Sequence, residues 1–241
     1  MIAGHFATAL VAKQQAPKGH LAFYLVISQL PDLLWHLFHF LGVEPTTPAN
    51  PMNASLQTMH AQMTYSHDLL PTLGWAMIAM MFGRGLFSSW GPGLAAGVLV
   101  IVHALCDALS GYPHNLFGPE SHQVGLGLYQ NAPFVALALE GVFTAAVMGW
   151  VFWSDKRAGV RRSRTTLVVW AMVLGGGIVM MVPTATQSTS ELLGAAPLEA
   201  LSGTLVPMLV VTYLGMMAAL VWADVQPTRL LQEASLQDES L

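Results

Sequence analysis

The sequence predicts an all-α, polytopic integral membrane protein of about six transmembrane helices, preceded by a short apolar helix. Three observations carry this. Of the 241 residues, 54% are apolar and only 9% charged, against about 25% charged in a soluble domain. Six stretches approach the roughly 20 apolar residues needed to cross a hydrocarbon core of about 30 Å. All nine Lys and Arg residues fall on one side of a six-span arrangement, the pattern produced by retention of positive charge in short cytoplasmic loops.

Residues 2–12 are apolar but too short to cross alone, and read either as a half-depth helix packed on the first span or as an interfacial one. This segment has no basic leader and contains His5, so it does not read as a cleaved signal peptide. The spans follow at 21–43, 69–86, 90–109, 133–153, 166–185 and 204–223. Lys13 and Lys18 precede the first and Arg84 ends the second. Lys156, Arg157, Arg161, Arg162 and Arg164 fill the loop after the fourth, and Arg229 follows the sixth. Both termini are therefore expected in the cytoplasm. Residues 1–225 read as one helical domain and 226–241 as a short polar cytoplasmic tail. The single basic cluster is a short loop, which speaks against a nucleic-acid partner. Membrane lipids and other membrane proteins are the expected partners.

Seven of the nine histidines, His36, His39, His60, His67, His103, His114 and His122, fall in the outer half of the membrane or in outer loops. At a rise of 1.5 Å per helical residue, Asp32 and His103 both come to lie roughly 18–20 Å above the inner boundary. Asp107 is one turn beyond His103 on the same helix face. His67 and Asp68 open the second span from outside and descend to that level. His5 approaches from a fourth segment if residues 2–12 fold back through 13–19. Ionisable groups at this depth cost several kcal/mol unless paired, so a converging set is a functional-site hypothesis. The lone cysteine, Cys106, lies in an apolar run, so a metal would have to use imidazole and carboxylate, a donor set suited to zinc, manganese or iron. The metal set is His5, Asp32, His67, His103 and Asp107, holding one ion with supporting groups or two ions sharing a carboxylate. Interhelical hydrogen bonding is the plainer alternative. His36 and His39 read as interface residues or neighbours of the cluster, His60 as solvated, and His114 and His122 as flanking an outer Gly- and Pro-rich loop. Glu140, two turns into the fourth span, has no basic partner in the outer half.

Gly4-His5, Pro31-Asp32, Ser66-His67 and the His103-x-x-x-Asp107 pattern followed by Gly111 resemble the bacterial inner-membrane proteins described as membrane-bound metal-dependent hydrolases. The resemblance covers roughly the first 130 residues. It is nearest to an uncharacterised branch of that family, through the apolar Gly-His segment at 1–13, the 32–35 stretch, Tyr65-Ser66-His67 and the 124–129 run. The chain departs from the family pattern at Gln62 and Met63, where the main branch has an Arg, in following His67 with Asp68, and at His114, where an acidic residue is expected. The resemblance implies a bacterial inner-membrane location and a divalent transition metal, zinc foremost. With the cluster, it implies hydrolysis of an ester or phosphodiester in a lipid or amphiphile near the outer leaflet, with Asp68 or Glu140 as general base. The alternative is a non-enzymatic accessory subunit of a larger membrane complex, since the fifth and sixth spans carry no acidic, basic or His residue. A third reading has His36 or His103 ligating a haem or chlorin.

Overall fold

The computed structural model describes residues 1–226 and the backbone of 229–230. The expected polar tail, 226–241, otherwise lies outside the described residues. The chain is mostly helical. Helices α1 (Ile2–Gln15), α2 (Leu21–Ser28) and α3 (Leu30–Phe40) lead into a long loop, then the hairpin α4 (Leu69–Phe87) and α5 (Trp90–Ser110). A short turn, α6 (Leu128–Asn131), precedes α7 (Pro133–Arg157). Next come α8 (Arg164–Trp170), a π-helical turn (Ala171–Gly175) and α9 (Gly176–Met181), which together form one rod. The short α10 (Thr189–Leu193) and the long α11 (Leu205–Asp224) complete the helices. Among the described residues, five helices are long and apolar enough to cross a membrane, or six if the bent α2–α3 pair is one span. Three two-residue antiparallel pairings tie the connections, β1 (Thr46–Thr47) with β2 (His60–Ala61), β3 (His114–Asn115) with β4 (Gln123–Val124), and β5 (Val160–Arg161) with β6 (Arg229–Leu230).

The first expected span, 21–43, is not a continuous helix: α2 and α3 meet at 62° across Gln29. Pro31 explains the break, because proline lacks the N–H that would bond to the carbonyl of residue 27 and its ring crowds that carbonyl. Broken backbone is tolerated at membrane depth only where protein buries it, and Ser28 and Gln29 are both fully enclosed.

The N-terminal segment packs on the first span, one of the two expected arrangements, and is enclosed by other helices as well. Helix α1 lies at the centre of the bundle, with residues of every face buried from Ala3 to Ala12, packed on α2, α5 and α7. A Cβ at Gly4 would come within 2.9 Å of the Phe143 ring, so glycine there lets α1 and α7 approach closely. The α4–α5 hairpin closes on small residues in the same way. A Cβ at Gly93 would lie 2.7 Å from the Met80 carbonyl, and one at Gly97 3.3 Å from that of Ala76, a small-residue spacing that brings helix backbones together. Gly93→Val is accordingly expected to cost about 1–3 kcal/mol by forcing the hairpin apart, read as a lower thermal midpoint. Gly85→Ala, whose new Cβ meets open space, should leave it unchanged.

Candidate metal centre

Four segments deliver five polar side chains to one buried point. Helix α1 brings His5, α3 brings Asp32 in its first turn, the residues just before α4 bring His67, and α5 brings His103 and Asp107 one turn apart. All five side chains are buried. His5, His103 and Asp107 form one triad, and Asp32, His67 and His103 another; within each, the potential ligand atoms lie within 4.8 Å of one another. Asp107 joins the two, with Oδ1 3.1 Å from His5 Nε2, and Oδ2 3.1 Å from His103 Nε2 and 3.9 Å from His67 Nε2. The Met1 nitrogen lies 2.8 Å from Asp107 Oδ1.

The surrounding groups determine where the ring protons reside. His103 Nδ1 donates to the Ser28 carbonyl at 2.8 Å; a carbonyl only accepts, so Nδ1 carries the proton. That carbonyl is available because the break at Gln29 takes it out of the helical ladder. In the neutral ring, Nε2 then presents a bare lone pair to the Asp107 carboxylate. Nε2 makes no hydrogen bond despite the 3.1 Å approach. Two lone pairs so placed repel unless a cation, a proton or a metal ion, lies between them. The donor set therefore fits an imidazole- and carboxylate-binding divalent metal. His67 Nδ1 is 2.8 Å from Ser66 Oγ and its Nε2 3.3 Å from Asp32 Oδ1, so the serine can hold the ring with Nε2 inward. The His5 ring stacks on that of His103 at 3.7 Å.

One participant carries no signal in the sequence as read above. Tyr213, in α11, donates to Asp32 Oδ2 at 2.9 Å, so the sixth span does reach the cluster. A phenol is neither charged nor apolar by span-finding criteria, and only its burial mid-helix distinguishes it. Removing such an outer hydrogen bond weakens metal sites about 10–100-fold. Tyr213→Phe is expected to lose metal affinity by that factor in a chelator-competition titration while its ring keeps its packing against Phe6.

Asp68 and Glu140, the expected general-base candidates, are held by hydrogen bonds to other segments. Neither lines the cavity beside the cluster. Asp68 accepts the backbone N–H groups of Asn115 and Gly118, at 2.9 and 2.6 Å, stitching the 111–127 loop to the start of α4. Glu140, fully buried, accepts the Ala3 N–H at 2.7 Å and the Tyr129 hydroxyl at 3.1 Å. It thereby satisfies one of the free N–H groups at the start of α1, where helix polarity favours a negative charge. Burial, with the Glu140 carboxylate next, pushes the Tyr129 phenol well up, so it stays a donor.

The loop held by Asp68 carries His114, which is buried, stacks on His67 at 5.2 Å and has an Nε2 without a partner. Burial, and then neighbouring His67, lower its pKa to about 3, so it is neutral at ordinary pH. His36 is buried between Trp35 and Tyr213. His60 and His122 are exposed. Beside the cluster lies a cavity of about 250 Å³, floored by Asp32, His67 and Asp107 and walled by Met59, Met63 and Leu209 among others. Residues 49–57 roof it through backbone bonds from Leu56 to Thr184 and from Leu205 to Ala49, and through the Tyr112 hydroxyl on the Leu56 carbonyl.

Comparison with protein-family models, with curated proteins and with solved structures finds no match to this chain.

Proposed function

We propose that this is a membrane-embedded, metal-dependent hydrolase of amphiphilic esters or phosphodiesters, holding one divalent ion, zinc foremost. The observation that carries the reading is the 3.1 Å approach of His103 Nε2 to the Asp107 carboxylate, with Nδ1 committed to the Ser28 carbonyl, inside a five-residue His/Asp cluster. A single ion is favoured because His103 belongs to both triads yet has only one nitrogen free. Asp32, His67, His103 and Asp107 would hold it, with His5 steadying Asp107 and Tyr213 steadying Asp32. A divalent ion so bound supplies water activation and polarisation of the scissile carbonyl or phosphoryl group. The cavity walls of Leu56, Met59, Met63 and Leu209 are apolar and suit the apolar part of an amphiphile. His114, neutral and with a free ring nitrogen, is placed to orient the polar part. The motif resemblance of the first 130 residues points the same way and implies the bacterial inner membrane as location.

The test uses the full chain in detergent. Elemental analysis should find about one equivalent of metal, and hydrolysis across a panel of acyl esters and phosphodiesters should stop with chelator and return with zinc. A fully metallated protein that turns over nothing in the panel would overturn the catalytic half of the reading.

A further inference from the structure

A second site lies at the far end of α7, away from the His/Asp cluster. The α7–α8 turn forms a cup of about 410 Å³ lined by Lys156, Arg161, Arg162 and Arg164. Arg162 is committed: it bonds Asp155 at 2.8 and 3.1 Å and lies 3.5 Å from Asp224. Asp155 in turn accepts from Gln14 of α1. Lys156, Arg161 and Arg164 have no carboxylate within salt-bridge distance among the described residues. They are exposed, and among the described residues they leave a concentration of positive charge without a partner at the end of two spanning helices.

The cup does not end in solvent. Phe152 and Leu167 line it and also line a second, apolar hollow of about 400 Å³ that runs between α7 and the α8–α9 rod. The floor of that groove is the π-helical turn Ala171–Gly175, a local widening of the helix of the kind often found at functional sites. Trp170, at its wall, is 2% exposed, and its indole N–H has no acceptor. By helical rise it lies about 9 Å below Arg164, deeper than the cup and along the groove. Three cations without a carboxylate partner among the described residues, and beyond them an apolar channel, follow the order of an anionic phosphate and an acyl chain.

We infer that the basic cup and the apolar groove below it form one binding site for an anionic phospholipid, with its phosphate among Lys156, Arg161 and Arg164 and one acyl chain lying between α7 and the α8–α9 rod. Each basic residue near an anionic headgroup contributes about 1 kcal/mol, so enrichment of such a lipid on the order of ten-fold or more over a zwitterionic one is expected.

The experiment purifies the full chain from mixed vesicles of phosphatidylcholine and phosphatidylglycerol and measures retained lipid by mass spectrometry. Phosphatidylglycerol should be enriched on the wild type and fall to the bulk ratio in an Arg161→Ala, Arg164→Ala variant. Gly141→Leu and Gly175→Leu should also lose the enrichment with every cation in place, because both glycines line the groove and a Cβ at either meets open space, so filling it need not disturb the backbone. An unchanged elution profile and thermal midpoint in each variant would show the fold intact, a control that does not depend on the fate of the catalytic reading. Equal retention of the two lipids by the wild type would overturn the inference. So would enrichment that survives the glycine variants but is displaced by inorganic phosphate, which would define an anion cup and no lipid site.

Discussion

A His103→Ala, Asp107→Ala double variant is expected to purify without metal where the wild type carries about one equivalent. His103 is the one residue common to both triads, and Asp107 is the carboxylate within 4 Å of three imidazoles. Their removal takes away the shared nitrogen and the anion that any cation at this point would face. Because buried polar groups left without partners destabilise a fold, the milder Asp107→Asn belongs beside it. Asparagine keeps the shape and one acceptor oxygen but removes the charge, so metal content should still fall while the elution profile stays that of the wild type. Full metal occupancy in both variants would place the ion elsewhere and leave the cluster as interhelical hydrogen bonding.

Glu140→Ala is expected to cost about 3 kcal/mol or more, which lowers a thermal midpoint by on the order of 10 °C. The side chain is fully buried and holds two donors from different segments, the Ala3 N–H and the Tyr129 hydroxyl. Truncation strands both and opens a cavity at the start of α1, two residues from His5. Glu140→Gln provides the contrast. Its amide oxygen can accept from Ala3 and its size fills the space, so both metal and turnover should survive. Loss of turnover with metal and stability intact in Glu140→Gln would instead restore this residue as a proton-handling group.

Much of the site was legible in the sequence because helical rise converts residue number into depth: counting from the basic boundary puts Asp32 and His103 at one level, and the structure brings them together. The ladder of apolar stretches foretells the spanning helices for the same reason. Three kinds of information were not legible. The break at Gln29 depends on one proline in an otherwise apolar run, and hydropathy does not register it. The contributions of the Ser28 carbonyl and the Tyr213 hydroxyl come from a main-chain atom, which has no letter of its own, and from a phenol hidden in an apolar span. Asp68 and Glu140 looked catalytic because buried carboxylates are costly. What balances them is backbone N–H groups of segments about 50 and 137 positions away, a pairing only the folded chain reveals. The central place of α1 was missed because a 14-residue helix is too short to span, and length alone does not tell a helix lying on a bundle from one enclosed by it.

That enclosure bears on how the protein is made. A helix of about 21 Å cannot be released into lipid as an independent span, yet α1 comes well before the groups that satisfy its polar end, Asp107 of α5 and Glu140 of α7. It must wait, shielded or at the interface, until more than half the chain has emerged. The ligand cluster shares that schedule: Asp32 gains its tyrosine only when α11, the last helix, arrives. On the proposed reading, metal retention would be a late event in biogenesis, with the ion as a seal on a completed bundle. Chains truncated before α11 should reach the membrane and fail to keep it.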